Sequence, residues 1–212
     1  YSKERWSEMM EARLAELELA QQADQENLEN QQGHNEQQEE QEEKMKKELE
    51  TRLKKIKLVI TDVDGVLTDG GMYYTKEGDI MKRFHARDGM GVTLLKNIGI
   101  PTIIVTKEQT EMVKRWSKRM KIKELLDGVK DKELIFNKIC KKNNVIPNEI
   151  AYIGDDVNDF EILKKVGLSA TPKDGINSIK KICHHICSKD GGYGAFRELA
   201  DLILEVKNEE EK

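Results

Sequence analysis

The chain has 212 residues, of which 37% are hydrophobic and 36% are charged, and its formal net charge is -4. Residues 1–55 carry 15 acidic and 9 basic side chains, whereas residues 56–212 carry 25 acidic and 27 basic ones and are therefore close to neutral. A near-neutral domain without a basic stripe gives no reason to expect a nucleic-acid partner. No apolar run approaches a membrane span and no signal-peptide pattern is present, so we expect a cytoplasmic protein without a membrane partner.

Residues 1–55 form a Gln- and Glu-rich extension, which we predict to be helical or flexible and separate from the domain that follows. Residues 30–43 contain no large apolar side chain. Such a tract can form a solvated helix but cannot bury a core. An inert tether, a partial coiled coil that supports assembly and the end of a preceding domain all stay open as interpretations. Helical spacing of apolar residues occurs only near the start, at Trp6, Met10, Leu14 and Leu17.

Residues 56–69, IKLVITDVDGVLTD, begin the domain with an apolar run that ends in two aspartates. The run predicts a buried strand, with Asp62 and Asp64 at its carboxyl edge. Two carboxylates one residue apart repel each other unless a cation lies beside them. An ordinary Asp/Gly turn is the alternative. A calcium loop of the EF-hand type does not fit, because its glycine stands at the sixth position and its flanks are helical.

Short apolar runs and helical patterns alternate along the rest of the chain. This alternation predicts an α/β fold with a parallel sheet and helices on both faces. Residues 70–84 read as a hairpin that turns at Glu77-Gly78-Asp79, an insert too small for a cap domain. The predicted strands lie near 57–61, 101–106, 151–154 and 183–187, and the predicted helices near 88–98, 109–119, 131–142, 158–165 and 195–205.

Polar residues follow three of the predicted strands. Asp62 follows the first, Thr106 the second and Asp155 the third, with Asp159 four residues further on. Lys130 and Lys132 both stand at the start of the helix between the last two of these strands. Ligands of such sheets bind beyond the carboxyl ends of the strands, and these groups are the ones that hold magnesium and a phosphate. The residues therefore predict a phosphoryl-transfer site with Mg²⁺ as its cofactor.

The three cysteines are sparse and odd in number, which is typical of reduced thiols rather than a disulfide framework. Residues 181–188, KICHHICS, raise the possibility of zinc. A short strand there places neighbouring side chains on opposite faces, which argues against a zinc site.

Five segments, in this order, resemble the haloacid dehalogenase (HAD) superfamily and, within it, the 3-deoxy-D-manno-octulosonate 8-phosphate phosphatase family. They are DVDGVLTDGGMYY (62–74), FHARDGMG (84–91), DGVKDK (127–132), YIGDDVND (152–159) and GGYGAFRE (191–198). The resemblance covers about residues 56–206 and implies a HAD-like Rossmannoid three-layer sandwich over 56–212, with a β-hairpin instead of a cap domain. It also implies a Mg²⁺-dependent phosphatase that acts on a sugar acid phosphate through an aspartyl-phosphate.

The resemblance implies a role for each matched residue. Asp62 is expected to attack phosphorus and Asp64 to carry the proton of the leaving oxygen. Thr106 is expected to bind a phosphoryl oxygen, and Lys132, which the family pattern favours over Lys130, to offset charge. The expected metal ligands are Asp62, the backbone carbonyl of Asp64 and Asp155, steadied by Asp159.

The substrate is less well specified. Arg87 is a candidate for the substrate carboxylate, since a guanidinium binds it with two hydrogen bonds. Lys107 stands where the family has glycine, and Glu108 stands at a position that helps relatives select nine-carbon acids. A nine-carbon keto-deoxy (sialic or nononic) acid 9-phosphate is therefore the alternative substrate. Retention of the catalytic residues argues against a noncatalytic assembly domain like the tails of acylneuraminate cytidylyltransferases.

The resemblance also implies an assembly. In the family, hairpins associate into a homotetramer and a glycine-rich tail reaches a neighbour's active site. The matching tail is residues 191–197, and Arg197 within it is a third candidate for substrate binding.

Overall fold

The computed structural model of the chain describes Met9, Met10, Arg13 and residues 37–210. Contacts divide the chain into two units, Tyr1–Glu48 and Leu49–Lys212. Residues 37–54 are helical (α1), and residues 37–48 are exposed. In the second unit Leu53 is buried, so this unit includes residues upstream of 56. The apolar positions predicted at Trp6, Leu14 and Leu17 lie outside the described residues.

Strands and helices alternate along the second unit, as predicted. The strands are β1 (Leu58–Thr61), β2 (Tyr73–Thr75), β3 (Gly78–Met81), β4 (Thr102–Val105), β5 (Glu124–Leu126), β6 (Ile150–Ile153), β7 (Leu168–Thr171) and β8 (His185–Ile186). The helices are α2 (Ala86–Asn97), α3 (Glu111–Met120), α4 (Lys132–Asn143), α5 (Phe160–Leu163), α6 (Asn177–Lys180) and α7 (Ala195–Glu210). Short 3₁₀ turns, Pro147–Glu149 and Val157–Asp159, precede β6 and α5.

Six strands form one sheet in the order β5-β4-β1-β6-β7-β8, and every neighbouring pair is parallel. Strands β2 and β3 form a separate antiparallel hairpin. Because parallel strands end at the same edge, the residues that follow β1, β4 and β6 come together there. The sheet confirms the predicted α/β fold.

Successive side chains of a strand point to opposite faces of the sheet. Both faces of this sheet carry apolar side chains, and each face packs against a layer of helices. The first core contains Val59 and Ile104 from the sheet, with Leu95, Val113 and Leu199 from α2, α3 and α7. The second core contains Leu58, Ile60 and Ile103, with Phe136, Ile162 and Ile179 from α4, α5 and α6. This arrangement is the predicted three-layer sandwich.

Several predicted elements differ from the structure. Strands β5 and β7 were not predicted, because β5 has only three residues and β7 (LSAT) buries Ser169 and Thr171 where an apolar pattern was expected. The predicted helix 158–165 is a 3₁₀ turn followed by the single turn α5. The hairpin turns one residue earlier than predicted, since Gly78 already begins β3. Among the described residues, no helix has the length and apolar content that a membrane crossing requires.

Candidate active site

The carboxyl edge of the sheet carries a cavity of about 380 Å³. Asp62 follows β1, Thr106 follows β4 and Asp155 lies just beyond β6, and all three side chains line this cavity together with Asp64. The cavity exists because β1 lies between β4 and β6, so the three strand ends are neighbours. The structure thus brings together the polar residues that the sequence placed at separate strand ends.

Lys132, the first residue of α4, connects two of the acidic residues. Its Nζ lies 2.7 Å from Asp62 Oδ2 and 2.6 Å from Asp159 Oδ1, and the residue is only 2% exposed. Burial lowers the pKa of Lys132, but the two carboxylates outweigh that effect and raise it above its ordinary value. Lys130, in contrast, is exposed. Lys132 therefore provides the fixed positive charge beside Asp62.

Asp159 is fully buried and is held by three protein donors. Its Oδ1 accepts hydrogen bonds from Lys132 and, at 2.5 Å, from the hydroxyl of Tyr152. Its Oδ2 accepts from the backbone N–H of Asp155 at 3.1 Å. Asp159 consequently orients the Lys132 side chain and holds the backbone of Asp155. Tyr152 was not singled out from the sequence, because in the apolar strand IAYI it reads as a core residue.

Asp62, Asp155 and Asp159 crowd their charges into a small volume, with ligand oxygens within 4.8 Å of one another. Burial and the charge of Asp159 raise the pKa of Asp62 to about 6. Burial and the charges of Asp62 and Asp159 raise the pKa of Asp155 to about 8. One lysine does not neutralise three carboxylates. The residues present fit a hard divalent cation, which prefers oxygen ligands and offsets this excess of negative charge.

Two glycines make room for the carboxylates. Gly65 has φ +79°, and a Cβ there would lie 2.0 Å from Asp155 Oδ2. A Cβ at Gly154 would lie 2.4 Å from Asp159 Oδ2. Both distances are far shorter than any van der Waals contact, so a side chain at either position would displace a carboxylate from the cluster.

Asp64 faces the same cavity from the loop after β1. Its Oδ1 accepts hydrogen bonds from Lys82 Nζ at 2.6 Å and from Thr68 Oγ1 at 3.2 Å. Lys82 was missed from the sequence, because a single lysine after a hairpin gives no recognisable signal. Lys107, exposed, and Glu108, half-buried, also line the cavity.

Arg87 and Arg197 lie elsewhere in the single chain. They line a different cavity, of about 470 Å³, together with Tyr193 and Glu198. Arg197 Nε is paired with Asp201 Oδ1 at 2.7 Å. Within one chain the structure therefore does not bring these two predicted substrate-binding residues to the carboxylate cavity.

The glycine-rich segment 191–194 packs against the loop after Asp62 of the same chain. The backbone N–H of Gly192 donates to the carbonyl of Val66 at 2.9 Å. A Cβ at Gly191 would lie 1.9 Å from the carbonyl oxygen of Gly65. The segment is therefore packed against a loop of its own chain rather than being a free tail.

The KICHHICS segment places its histidines on opposite faces, as expected. His184 bonds with Ser169, whereas ligand atoms of His185, Cys187 and Glu198 lie within 4.8 Å of one another. These three groups already have protein partners: His185 Nε2 lies 3.3 Å from Glu198, and Cys187 Sγ donates to the carbonyl of Ala195.

The chain is similar in sequence to known proteins. Residues 100–194 match the haloacid dehalogenase-like hydrolase family. The 3-deoxy-D-manno-octulosonate 8-phosphate phosphatase of Haemophilus influenzae is 36% identical over 159 residues, which cover 75% of this chain and 88% of that protein. This chain belongs to the 3-deoxy-D-manno-octulosonate 8-phosphate phosphatase family. The predicted family is thereby confirmed, and so is the prediction that the chain is a phosphatase.

Solved structures of this phosphatase family place metal ions in related folds. The Moraxella catarrhalis phosphatase, in complex with a magnesium ion, a phosphate ion and a KDO molecule, is 35% identical, with a TM-score of 0.74 over 76% of this chain and 92% of that one. The cobalt-bound Haemophilus influenzae phosphatase is 36% identical, with a TM-score of 0.72 over 74% of this chain and 92% of that one. Both relatives hold a divalent metal ion, and the carboxylate cluster of this chain is suited to one.

Proposed function

We propose that this chain hydrolyses 3-deoxy-D-manno-octulosonate 8-phosphate through an aspartyl-phosphate on Asp62, with Mg²⁺ as its cofactor. The observation that carries the proposal is the contact of Asp62 with the buried Lys132. Asp62 itself lines a cavity together with Asp64, Thr106 and Asp155. The proposal is supported by the substrate named for the relatives. An assembly domain without activity would have no need for a buried lysine between two carboxylates, an arrangement that costs several kcal/mol in desolvation.

In the first step Asp62 attacks phosphorus, and the bond between phosphorus and the sugar oxygen breaks. Asp64 donates a proton to that oxygen, so the sugar leaves as a neutral alcohol. Lys132 and the Thr106 hydroxyl stabilise the charge on the phosphoryl oxygens during transfer. The products of this step are the free sugar acid and the aspartyl-phosphate.

In the second step a water attacks the same phosphorus, and the bond from phosphorus to Asp62 breaks. Asp64, now ionised, takes the proton of that water. Inorganic phosphate leaves and both aspartates return to their starting states. Asp62, the Asp64 backbone carbonyl and Asp155 would hold Mg²⁺, which supplies positive charge to the phosphoryl group, while Asp159 steadies Lys132 and Asp155.

A nine-carbon keto-deoxy acid 9-phosphate is the second candidate substrate. Glu108 lines the cavity beside Thr106, where it can accept hydrogen bonds from hydroxyl groups of a longer sugar. Lys107 adds a cation at the same rim, where it can attract the carboxylate of either acid. These two side chains, rather than the carboxylate cluster, are the groups that would distinguish the sugars.

Phosphate release from a panel of sugar phosphates tests the proposal. The panel contains both candidate sugar acid phosphates and an aldose phosphate without a carboxylate, each with Mg²⁺ and with EDTA. We expect the highest kcat/KM for the eight-carbon acid, and none in EDTA or with Asp62→Asn. A higher value for the nine-carbon acid would favour the second candidate, and no release from any compound would refute the phosphatase mechanism.

We also infer that the protein is a homotetramer that uses its hairpin as an interface. The hairpin exposes apolar side chains that a monomer would leave in water, namely Met72, Tyr73, Tyr74, Ile80 and Met81. Light scattering after size exclusion measures the mass directly. Ile80→Glu should lower the mass, whereas Leu134→Glu, an equally apolar and exposed change on α4, should not. A monomeric wild type would refute this inference.

A further inference from the structure

We propose that Lys82 is a positioning residue that holds Asp64 for proton transfer, and that the hairpin insert acts on catalysis through it. The inference rests on the proposed function, in which Asp64 carries the proton of the leaving oxygen. Lys82 lies outside the strand ends at the carboxyl edge of the sheet and outside the five segments that resemble the family. It follows β3 directly, so its position depends on the hairpin.

In the ion pair between Lys82 and Asp64, the lysine side chain is shielded from solvent and the aspartate is partly exposed. The Lys82 side chain is only 5% exposed, and its Nζ lies 2.6 Å from Asp64 Oδ1, whose side chain is 31% exposed. Ion pairs on open surfaces hold their partners weakly, because both side chains stay mobile and hydrated. A buried ammonium with one close carboxylate is different, since releasing the carboxylate would leave the cation without its partner. Lys82 therefore restricts where Asp64 can point.

Both flanks of the hairpin insert converge on the same oxygen. Thr68, on the flank before the hairpin, donates to Asp64 Oδ1 at 3.2 Å. Its backbone forms an antiparallel bridge with Phe84, on the flank after the hairpin. The bridge between Thr68 and Phe84 thus closes the base of the insert. Next to this bridge, Thr68 and Lys82 both donate to Asp64 Oδ1. Among the described residues, Asp64 Oδ2 has no hydrogen-bond partner, so the orientation of this carboxylate depends on Oδ1.

The two buried lysines of the site have different partners and should have different effects. Lys132 contacts Asp62, which reacts with phosphorus in every substrate. Lys82 contacts Asp64, whose side chain affects formation of the aspartyl-phosphate only as far as the leaving oxygen needs a proton. A sugar alkoxide is a poor leaving group and requires that proton, whereas p-nitrophenolate leaves without it. The effect of a substitution at Lys82 on kcat/KM should therefore depend on the leaving group. The effect of a substitution at Lys132 should not.

The experiment measures kcat/KM of Lys82→Met and of wild type for two substrates. One is the sugar phosphate of the proposed function, 3-deoxy-D-manno-octulosonate 8-phosphate, and the other is p-nitrophenyl phosphate. This parameter covers the steps up to formation of the aspartyl-phosphate, where the leaving group departs. We expect a loss of about 10²-fold for the sugar phosphate and of less than about threefold for p-nitrophenyl phosphate. Lys82→Arg, which keeps the ion pair, should recover most of the loss. Lys76→Met, the same change in the exposed hairpin turn, should leave both values unchanged.

A double variant separates positioning from structure. In an Asp64→Asn background, Lys82→Met should cause little further loss, because the carboxylate that it positions is already gone. Equal losses on both substrates, or a full additional loss in the Asp64→Asn background, would overturn the inference while leaving the proposed function intact. Wild-type protein that hydrolyses neither substrate would instead overturn the proposed function, and this inference with it.

Discussion

Tyr152→Phe removes one buried oxygen and tests whether the tyrosine hydroxyl supports the carboxylate cluster. The hydroxyl donates to Asp159 at 2.5 Å and accepts from Lys132 at 3.3 Å. A hydrogen bond to a charged group contributes about 1.5–3 kcal/mol, and the phenyl ring leaves almost no cavity. We expect a loss of about 2 kcal/mol in the free energy of unfolding, which lowers the midpoint of thermal unfolding by about 4–8 °C for a domain of this size.

Thermal and urea unfolding, followed by circular dichroism, measure this loss. Tyr193→Phe is the matched control, because Tyr193 is 52% exposed and its ring stays under Arg83; we expect a change within about 0.5 kcal/mol. Lys132 keeps both ion pairs in Tyr152→Phe, so kcat should fall by less than about tenfold, against about 10²-fold or more for Lys132→Met. A Tyr152→Phe domain as stable as the control would refute the supporting role of the hydroxyl.

Three further outcomes are expected. Gly65→Ala should lower kcat/KM by about 10²-fold or more, because its Cβ would meet Asp155, whereas Gly99→Ala, with the same φ of +79° and nothing within 4 Å, should retain activity. Burial raises the pKa of Asp88 to about 6. The stability of wild type relative to Asp88→Asn should therefore fall by about 2 kcal/mol as the pH rises from about 4.5 to about 7.5, measured by urea unfolding; a pH-independent difference would contradict this. Mg²⁺ at about 100 times its Kd should stabilise the domain by about 2.7 kcal/mol in thermal unfolding, and Asp155→Asn should abolish that shift.

The central part of the fold was predictable because its strands are short apolar runs between polar turns. β1, β4 and β6 are each four buried residues, so their positions could be read without knowing their neighbours. β7 is equally buried, yet its buried Ser169 and Thr171 make the segment resemble a loop. Strand β5, with three half-buried residues at the sheet edge, has too little apolar pattern for a prediction.

The candidate site was predictable where its residues stand at strand ends. Asp62, Thr106 and Asp155 share a cavity because the order of the strands makes their ends adjacent. Lys82 was not predictable, since its role depends on a contact with Asp64 across 18 residues of chain. Tyr152 was not predictable either, since it bonds Asp159 across 7 residues and Lys132 across 20. Such contacts require the folded backbone and leave no spacing in the sequence.

Arg87 and Arg197 illustrate a further limit of sequence reasoning. Both stand in motifs that resemble the family, yet in the single chain they line a cavity away from the carboxylates. The two arginines share this cavity because α2 and α7 pack closely there: a Cβ on Gly91 of α2 would lie 3.4 Å from the Cα of Arg197. A contribution of these arginines to substrate binding remains a proposal that Arg87→Lys and its KM would test.

The formation of an aspartyl-phosphate on Asp62 is the central claim, and trapping it is the most direct measurement. Wild-type protein is mixed with the eight-carbon acid 8-phosphate and Mg²⁺, quenched in acid within the first turnover and digested for mass spectrometry. The mechanism predicts one phosphoryl group on the peptide that contains Asp62, with none in Asp62→Asn. Phosphate release without a phosphoryl group on this peptide, or release by Asp62→Asn at the wild-type rate, would contradict the mechanism.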